Sequence, residues 1–262
     1  MRRNKPRRNQ FQLSNSPRKV AILVDTSTDW SRRLISGIIS YLKQHGPWQI
    51  FIDPHGVGEH LELQKRWQGD GVIARVTDEK LARSLHARRI PVVNVSGIKV
   101  AGPQFPGVIS DTPAVARMAV DYFRERGFKH FAYLSLLGLE YVSRQLDAYV
   151  AKVQQAGCKC EVHCVKAHLG AQTPDWNLRM ETLANWLRSL PKPVAILTWS
   201  GGREIIHACQ FAGIKIPEEV ALMSGTEDLL CEAAHIPISA VCAGSERIGF
   251  EAAAMLDDLM RG

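Results

Sequence analysis

The 262-residue sequence lacks long apolar runs, and this excludes several classes of protein. Its longer runs, such as Val20–Val24 and Val194–Leu197, fall far short of the roughly 20 residues that span a bilayer. We therefore predict no transmembrane helix and no membrane partner. Val20–Val24 leads directly into Asp25, so the apolar core of a secretory signal is also missing. The sequence predicts a cytoplasmic protein.

Cysteine is scarce, and the six cysteines are scattered, which is typical of reduced thiols rather than of a disulfide framework. Cys158, Cys160 and Cys164, with His163 between them, invite a metal interpretation. Zinc sites, however, use C-x2-C pairs from turns. The period of two instead predicts that the three cysteines and Val162 lie on the buried face of a strand. We predict no metal site.

The sequence also lacks the local motifs of common enzymes. It contains no G-x-S-x-G elbow, no G-x-x-x-x-G-K-[ST] phosphate loop and no G-x-G-x-x-G after its first predicted strand. We therefore predict no catalytic residue and no cofactor. Ser200-Gly201-Gly202 follows a predicted strand and begins a helix. Its backbone N–H groups could bind an anion, although an unliganded turn explains the same pattern.

Positive charge is in excess, with 33 Lys and Arg against 26 Asp and Glu, but the excess is local. Residues 1–19 contain seven basic side chains and no acidic one, so the rest of the chain is neutral overall. We predict that residues 1–19 form a disordered basic tail. The tail is either a solvated leader or a weak, sequence-independent contact to DNA phosphates.

From residue 20 onward, short runs rich in Val and Ile alternate with stretches of helical period, which is typical of parallel βαβ units. The predicted strands are Val20–Asp25, Gln49–Asp53, Gly71–Arg75, Pro91–Val95, His130–Ser135, Cys158–Val165, Val194–Thr198 and Val220–Ser224. This pattern predicts an α/β fold with two doubly wound parallel-sheet lobes. Such sheets bind ligands at the carboxyl ends of their strands, so we expect the functional site in the cleft between the lobes.

The lobe boundaries follow from where the pattern restarts. Asp111-Thr112-Pro113 is a helix-start signal, with a capping side chain followed by proline. We predict an N-terminal lobe of residues 20–112 plus 241–262, whose last segment is an amphipathic helix, and a C-terminal lobe of residues 113–240.

The loop after the first predicted strand combines groups that bind polyhydroxylated compounds. Asp25 and Arg32 can make paired hydrogen bonds to hydroxyls, and Trp30 can stack on the apolar face of a sugar. A structural alternative explains the same residues. Asp29 or Ser31 would cap the following helix, and Trp30 would pack against it as a hydrophobic staple.

Seven stretches between residues 20 and 262 carry a family resemblance. They are Val20–Asp25, His45–Trp48, Trp67–Arg75, Ile90–Asn94, Glu125–Ala132, Leu190–Pro193 and Glu246–Ala253. In these stretches the chain resembles the sensor domain of XylR-like, AraC-type activators of xylose operons. The resemblance implies the fold that this family shares with LacI-type repressors and periplasmic sugar-binding proteins.

The resemblance also implies partners. The family's two-lobed sensor closes on a small-molecule effector, xylose or a similar metabolite, and reorients a homodimer that carries a helix-turn-helix domain at its C-terminus. This sequence stops at Gly262, where the family continues into that domain. We therefore expect either a fragment or a regulator without its output domain. DNA contact would come through the missing domain, or weakly through the basic tail.

The resemblance places the ligand between the lobes. The implied set is Asp25, Trp30, Arg32 and Asn94 on the first lobe, facing Arg144, Gln145, Trp199, Glu227 and Asp228 on the second. Several of these positions depart from the family pattern. Trp199 lies in a segment where the family has Asn-Asp-Asp, Gln145 replaces a pocket arginine, and Asn94 stands where aspartate is common.

These departures leave two hypotheses open. The first is the sensor domain of a transcriptional regulator, which binds a small sugar or related metabolite. The second is a degenerate sensor that acts without ligand as a dimerisation partner. An enzyme is the least supported hypothesis, because the sequence contains no recognisable activated nucleophile or metal site.

Overall fold

A computed structural model describes residues 17–56, 59–137, 140–166, 175–199, 202–226 and 229–262. The first half contains strands β1 (Lys19–Leu23), β2 (Gln49–Ile52), β3 (Gly71–Ala74) and β4 (Val92–Asn94), with helices α1 (Asp29–His45) and α2 (Glu79–His86). The second half contains α3 (Thr112–Glu125), β5 (His130–Leu137), α4 (Glu140–Gln155), β6 (Cys160–Lys166), α5 (Trp176–Ser189), β7 (Val194–Thr198), α6 (Gly202–Ala212), β8 (Val220–Ser224), α7 (Leu229–Glu232) and β9 (Ser239–Ala240). Helix α8 (Ser245–Arg261) follows.

The first sheet is parallel, with strand order β2-β1-β3-β4. Its central strands are buried on both faces, as their continuous apolar sequence requires. Alternate residues of β1 pack against α1 and α8 on one face and against α2 and residues 61–63 on the other. We call this sheet and its helices lobe 1.

Helices α1 and α8 approach so closely that two positions have no room for a side chain. A methyl group at Gly37 would collide with the Glu246 carbonyl oxygen, and one at Gly249 would collide with the Leu34 carbonyl oxygen. Glycine therefore sets the distance between the two helices, which cover one face of the first sheet.

The second sheet is also parallel, with strand order β6-β5-β7-β8-β9, and we call it and its helices lobe 2. Helices α3 and α4 cover one face, and α5 and α6 cover the other. The predicted α/β fold with two parallel sheets is thereby confirmed. Strand β9 was not predicted, because its two residues are exposed and carry no apolar pattern.

The predicted burial of the cysteine strand was wrong at its far end. Cys160 is half-buried against the α3/α4 face, but Val162 is 40% exposed and Cys164 is exposed. On the other face, His163 stacks on Trp186. Strand β6 lies at the edge of the sheet, so neighbouring elements cover only part of it. Within the described ranges, no group of three or more His, Cys, Asp or Glu residues could hold a metal ion.

Two chain segments connect the sheets, one between β4 and α3 and one between β9 and α8. They come together where the Ser110 hydroxyl donates to the Ala243 carbonyl oxygen over 3.5 Å. The predicted helix start is confirmed, because the Asp111 side chain caps α3 by accepting from the Ala114 N–H over 2.9 Å. No helix in the described part of the chain is long and apolar enough to cross a bilayer.

Candidate functional site

Polar side chains stand at the carboxyl ends of the strands in lobe 1, where doubly wound sheets bind ligands. Asp25 follows β1, Arg75 follows β3, and Asn94 ends β4. β1 pairs with β3 and β3 with β4, so these three positions lie along one edge of the sheet. This edge is the candidate site wall of lobe 1.

Asp25 is the most constrained residue of this wall. Its side chain is only 6% exposed, and Oδ2 accepts a hydrogen bond from Arg75 Nη1 over 2.7 Å. Oδ1 is buried and has no hydrogen-bond partner among the described residues. Because a buried carboxylate oxygen is costly to leave unpaired, the geometry favours a donor group at this point.

Arg75 contacts both Asp25 and Trp30. Besides pairing with Asp25, its guanidinium carbon lies 5.7 Å from the centre of the Trp30 ring, within the range of a cation–π contact. Arg75 was not predicted from the sequence as a site residue, although it follows a buried strand as Asp25 does. We call Asp25, Arg75 and Trp30 the Asp25 cluster.

Arg32, a predicted ligand contact, makes hydrogen bonds within its own loop. Nη1 donates to the Ser27 carbonyl oxygen over 2.8 Å, and Nη2 lies 3.5 Å from Asp29 Oδ1. The alternative that Asp29 or Ser31 caps α1 was wrong. Thr28 is the cap, and its hydroxyl oxygen accepts from the Ser31 N–H over 3.3 Å.

The Asn94 side chain likewise organises the backbone around it. Oδ1 accepts from the N–H groups of Val76 and Ser96, over 3.1 and 2.9 Å, and Nδ2 donates to the Ser96 carbonyl oxygen over 3.3 Å. The amide therefore fixes the loop after β4 relative to the loop after β3.

On lobe 2, two predicted residues meet at one glycine. A methyl group at Gly225, just after β8, would lie 3.0 Å from Trp199 Cε3 and 3.3 Å from Gln145 Oε1. Gln145 is 7% exposed, and Trp199 packs against the α3/α4 core. The wall of lobe 2 therefore includes an indole and an amide side by side.

Arg144, next to Gln145 on α4, reaches out of its own lobe. Its Nη1 donates a hydrogen bond to the Gly97 carbonyl oxygen in the loop after β4 of lobe 1. The remaining predicted contacts, Glu227 and Asp228, lie outside the described residues, as do Ser200 and Gly201 of the glycine turn.

Three ionisable groups near the lobe 2 core are held in their neutral form: the Cys160 thiol and the hydroxyls of Tyr133 and Tyr149. Burial, helped by the neighbouring Glu161, raises the pKa of the Cys160 thiol to about 12. Burial also raises the pKa of Tyr133 and Tyr149 far above the usual value of a phenol. These groups stay protonated near neutral pH and give no activated nucleophile.

Comparison with known families matches both parts of the chain. Residues 120–262 match the periplasmic binding protein-like domain family, which is more than half of the chain. Residues 19–115 match the XylR N-terminal domain.

Individual relatives agree. The chain is 27% identical over 256 residues to the xylose operon regulatory protein of Haemophilus influenzae, covering 93% of this chain and 65% of the relative. It is 26% identical over 258 residues to the protein of that name in Escherichia coli K12, covering 92% and 63%. A solved structure of the xylose-binding transcription activator xylR superposes with a TM-score of 0.79 at 24% identity, covering 94% of this chain and 64% of that one. The chain thus spans less than two thirds of each.

Proposed function

The chain belongs to the periplasmic binding protein-like domain family, with a XylR-type N-terminal part, and we propose that it is the sensor domain of a transcriptional regulator. Its ligand is a small sugar, xylose or a related metabolite, bound in the cleft between the two lobes. The names of the relatives, both regulators of xylose operons, support this class of ligand.

The observation that carries the proposal is the half-paired carboxylate of Asp25. Arg75 neutralises its charge and binds one oxygen, which leaves the buried Oδ1 as an acceptor for a hydroxyl. A charged ligand would disturb the neutralised Asp25–Arg75 pair. A sugar hydroxyl would instead donate the missing hydrogen bond to Asp25 Oδ1. Trp30 adds an apolar surface of the kind on which sugar rings stack.

Tryptophan fluorescence tests the proposal directly. Trp30 belongs to the Asp25 cluster and Trp199 borders Gly225, so binding of a sugar should change the emission. We expect a saturable change with at least one sugar in a panel of pentoses and hexoses. Trp30→Phe should reduce this change, whereas Trp186→Phe, which alters the ring stacked on His163, should not. A flat response across the panel would contradict sugar binding.

A second candidate function is a ligand-free dimerisation partner. The packing of Trp199 against Gly225 favours it, because a large ring fills the end of β7 where the family pattern has small polar residues. In this case, sedimentation should show a dimer whose stability no sugar alters. A dimer that tightens or dissociates on adding sugar would contradict this candidate.

We extend the proposal to organisation and partners. The sensor is a cytoplasmic homodimer, and residues 20–112 and 241–262 form one lobe while residues 113–240 form the other. Packing of α8 against α1 and β1 supports this division. We propose that the basic tail makes a weak, sequence-independent DNA contact. Electrophoretic shift assays with and without residues 1–16 test this point, because Arg18 and Lys19 belong to the folded lobe 1, and equal affinity would contradict it.

A further inference from the structure

The Arg144 side chain joins the two lobes at the site. Helix α4, which carries it, packs into the lobe 2 core through buried Val142, Tyr149 and Val153. Its acceptor, the Gly97 carbonyl oxygen, lies in the loop that follows β4 of lobe 1. The bond therefore exists only while the two lobes stand close together on this side.

The loop around the acceptor is held in place from both sides. Before Gly97, Asn94 Oδ1 binds the Ser96 N–H over 2.9 Å. After it, the Ile98 N–H donates to Ser96 Oγ over 3.1 Å, and Ser96 is 6% exposed. A carbonyl fixed in this way is a preorganised acceptor, so little loop entropy is lost when the guanidinium binds.

Residue 97 also has no room for a side chain. A methyl group there would come within 2.7 Å of Arg144 Nη1. The backbone of Gly97 is not in the left-handed region, so the local conformation itself accepts alanine. The space that glycine leaves is occupied by the guanidinium of Arg144.

We propose that Arg144 and the Gly97 carbonyl form a latch that stabilises the closed arrangement of the lobes. Arg144 then acts as a positioning residue rather than as a direct ligand contact. The latch itself does not depend on a ligand. Its effect on affinity rests on the proposed function, since a ligand that binds the closed state binds more weakly when that state is less populated.

Small-angle X-ray scattering of the full chain without ligand tests the latch. Arg144→Met removes the donor, and Gly97→Ala displaces it without touching α4. Both should increase the radius of gyration while the far-ultraviolet dichroism stays that of the folded protein. Arg188→Met is the matched control, because Arg188 is exposed on α5 and bonds to Asn185 on the same helix. An unchanged radius in either single variant overturns the latch.

The double variant and a sugar titration complete the test. If both changes break one bond, the double variant should be no more open than Arg144→Met alone, and additive opening overturns the latch. Where D-xylose binds the wild type, both single variants should weaken it, roughly tenfold to a hundredfold for a hydrogen bond to a charged group. If D-xylose does not bind, xylose itself is excluded as the ligand, while the scattering result still decides on the latch.

Discussion

At the scale of single residues, one buried carboxylate connects three parts of lobe 1. Asp257 on α8 accepts a hydrogen bond from the Tyr41 hydroxyl on α1 over 2.9 Å and lies 3.2 Å from Arg18 Nη1, next to β1. Arg261, one turn further along α8, donates to the same carboxylate. The charge of Asp257 is thus fully compensated, as burial requires.

The Tyr41–Asp257 bond predicts a stability change at alkaline pH. Burial and the hydrogen bond to Asp257 raise the pKa of Tyr41 to about 12, above the value of about 10 in an unfolded chain. The contribution of Tyr41 is therefore complete below pH 10 and is lost as the pH rises towards 12. Tyr41→Phe should cost about 1–3 kcal/mol at pH 8, and the difference from wild type should shrink between pH 10 and 12.

Urea unfolding of both proteins at several pH values measures this difference. The lobe 2 groups with raised pKa values, Tyr133, Tyr149 and Cys160, are the same in wild type and variant, so their effects cancel. A difference that stays constant from pH 8 to pH 12 would show that the Tyr41 hydroxyl does not titrate late.

His163 should lower the stability of the folded protein at acid pH. Its ring stacks on Trp186 at 4.9 Å, and burial lowers its pKa. The unfolded chain then binds a proton more readily, so His163 reduces stability as the pH falls below about 6.5. His163→Gln should flatten the loss of stability between pH 6.5 and 5, as measured by urea unfolding. Equal slopes for the wild type and the variant would refute this role.

At the scale of elements, the contact between α1 and α8 depends on glycine. Gly249→Ala should destabilise lobe 1 by about 1–3 kcal/mol, because the methyl group forces the helices apart. Ser36→Ala, at an exposed position on α1, should change stability by no more than about 0.5 kcal/mol. Thermal unfolding measures both, and an unaffected Gly249→Ala protein would mean that the helix pair can separate without cost.

Buried strands could be predicted from the sequence, whereas burial at the sheet edge and side-chain contacts at the site could not. Continuous apolar runs identify the buried strands, since a strand covered on both faces has no polar positions. Burial at an edge strand depends on which elements reach it, so the exposure of Val162 could not be read from its spacing. The direction of the side chains at the candidate site could not be predicted from the sequence either. Arg32 lies in the first turn of α1 and Asn94 ends β4, and the sequence does not show that both side chains hydrogen-bond to nearby backbone groups.

At the scale of the whole molecule, two connecting segments join the lobes, and within the described ranges the Arg144 side chain bonds from one lobe to the other. The segments meet at Ser110 and Ala243, and the Arg144–Gly97 bond lies beside the candidate site. A sugar that binds both walls would further stabilise the closed arrangement that the proposed latch stabilises. Ligand and latch would therefore act on a single equilibrium between open and closed lobes.

If Asp25 provides the cleft acceptor for a sugar hydroxyl, isothermal titration calorimetry should show weaker binding when its carboxylate is replaced. The sugar with the largest fluorescence response is titrated into wild type, Asp25→Asn and Asp70→Asn. Asp70 is the control, because its carboxylate binds the Lys19 N–H at the opposite end of the same sheet. We expect Asp70→Asn to bind as wild type does, and Asp25→Asn to bind roughly tenfold to a hundredfold more weakly. Wild-type affinity in Asp25→Asn would show that the Asp25 carboxylate is not the acceptor for the sugar.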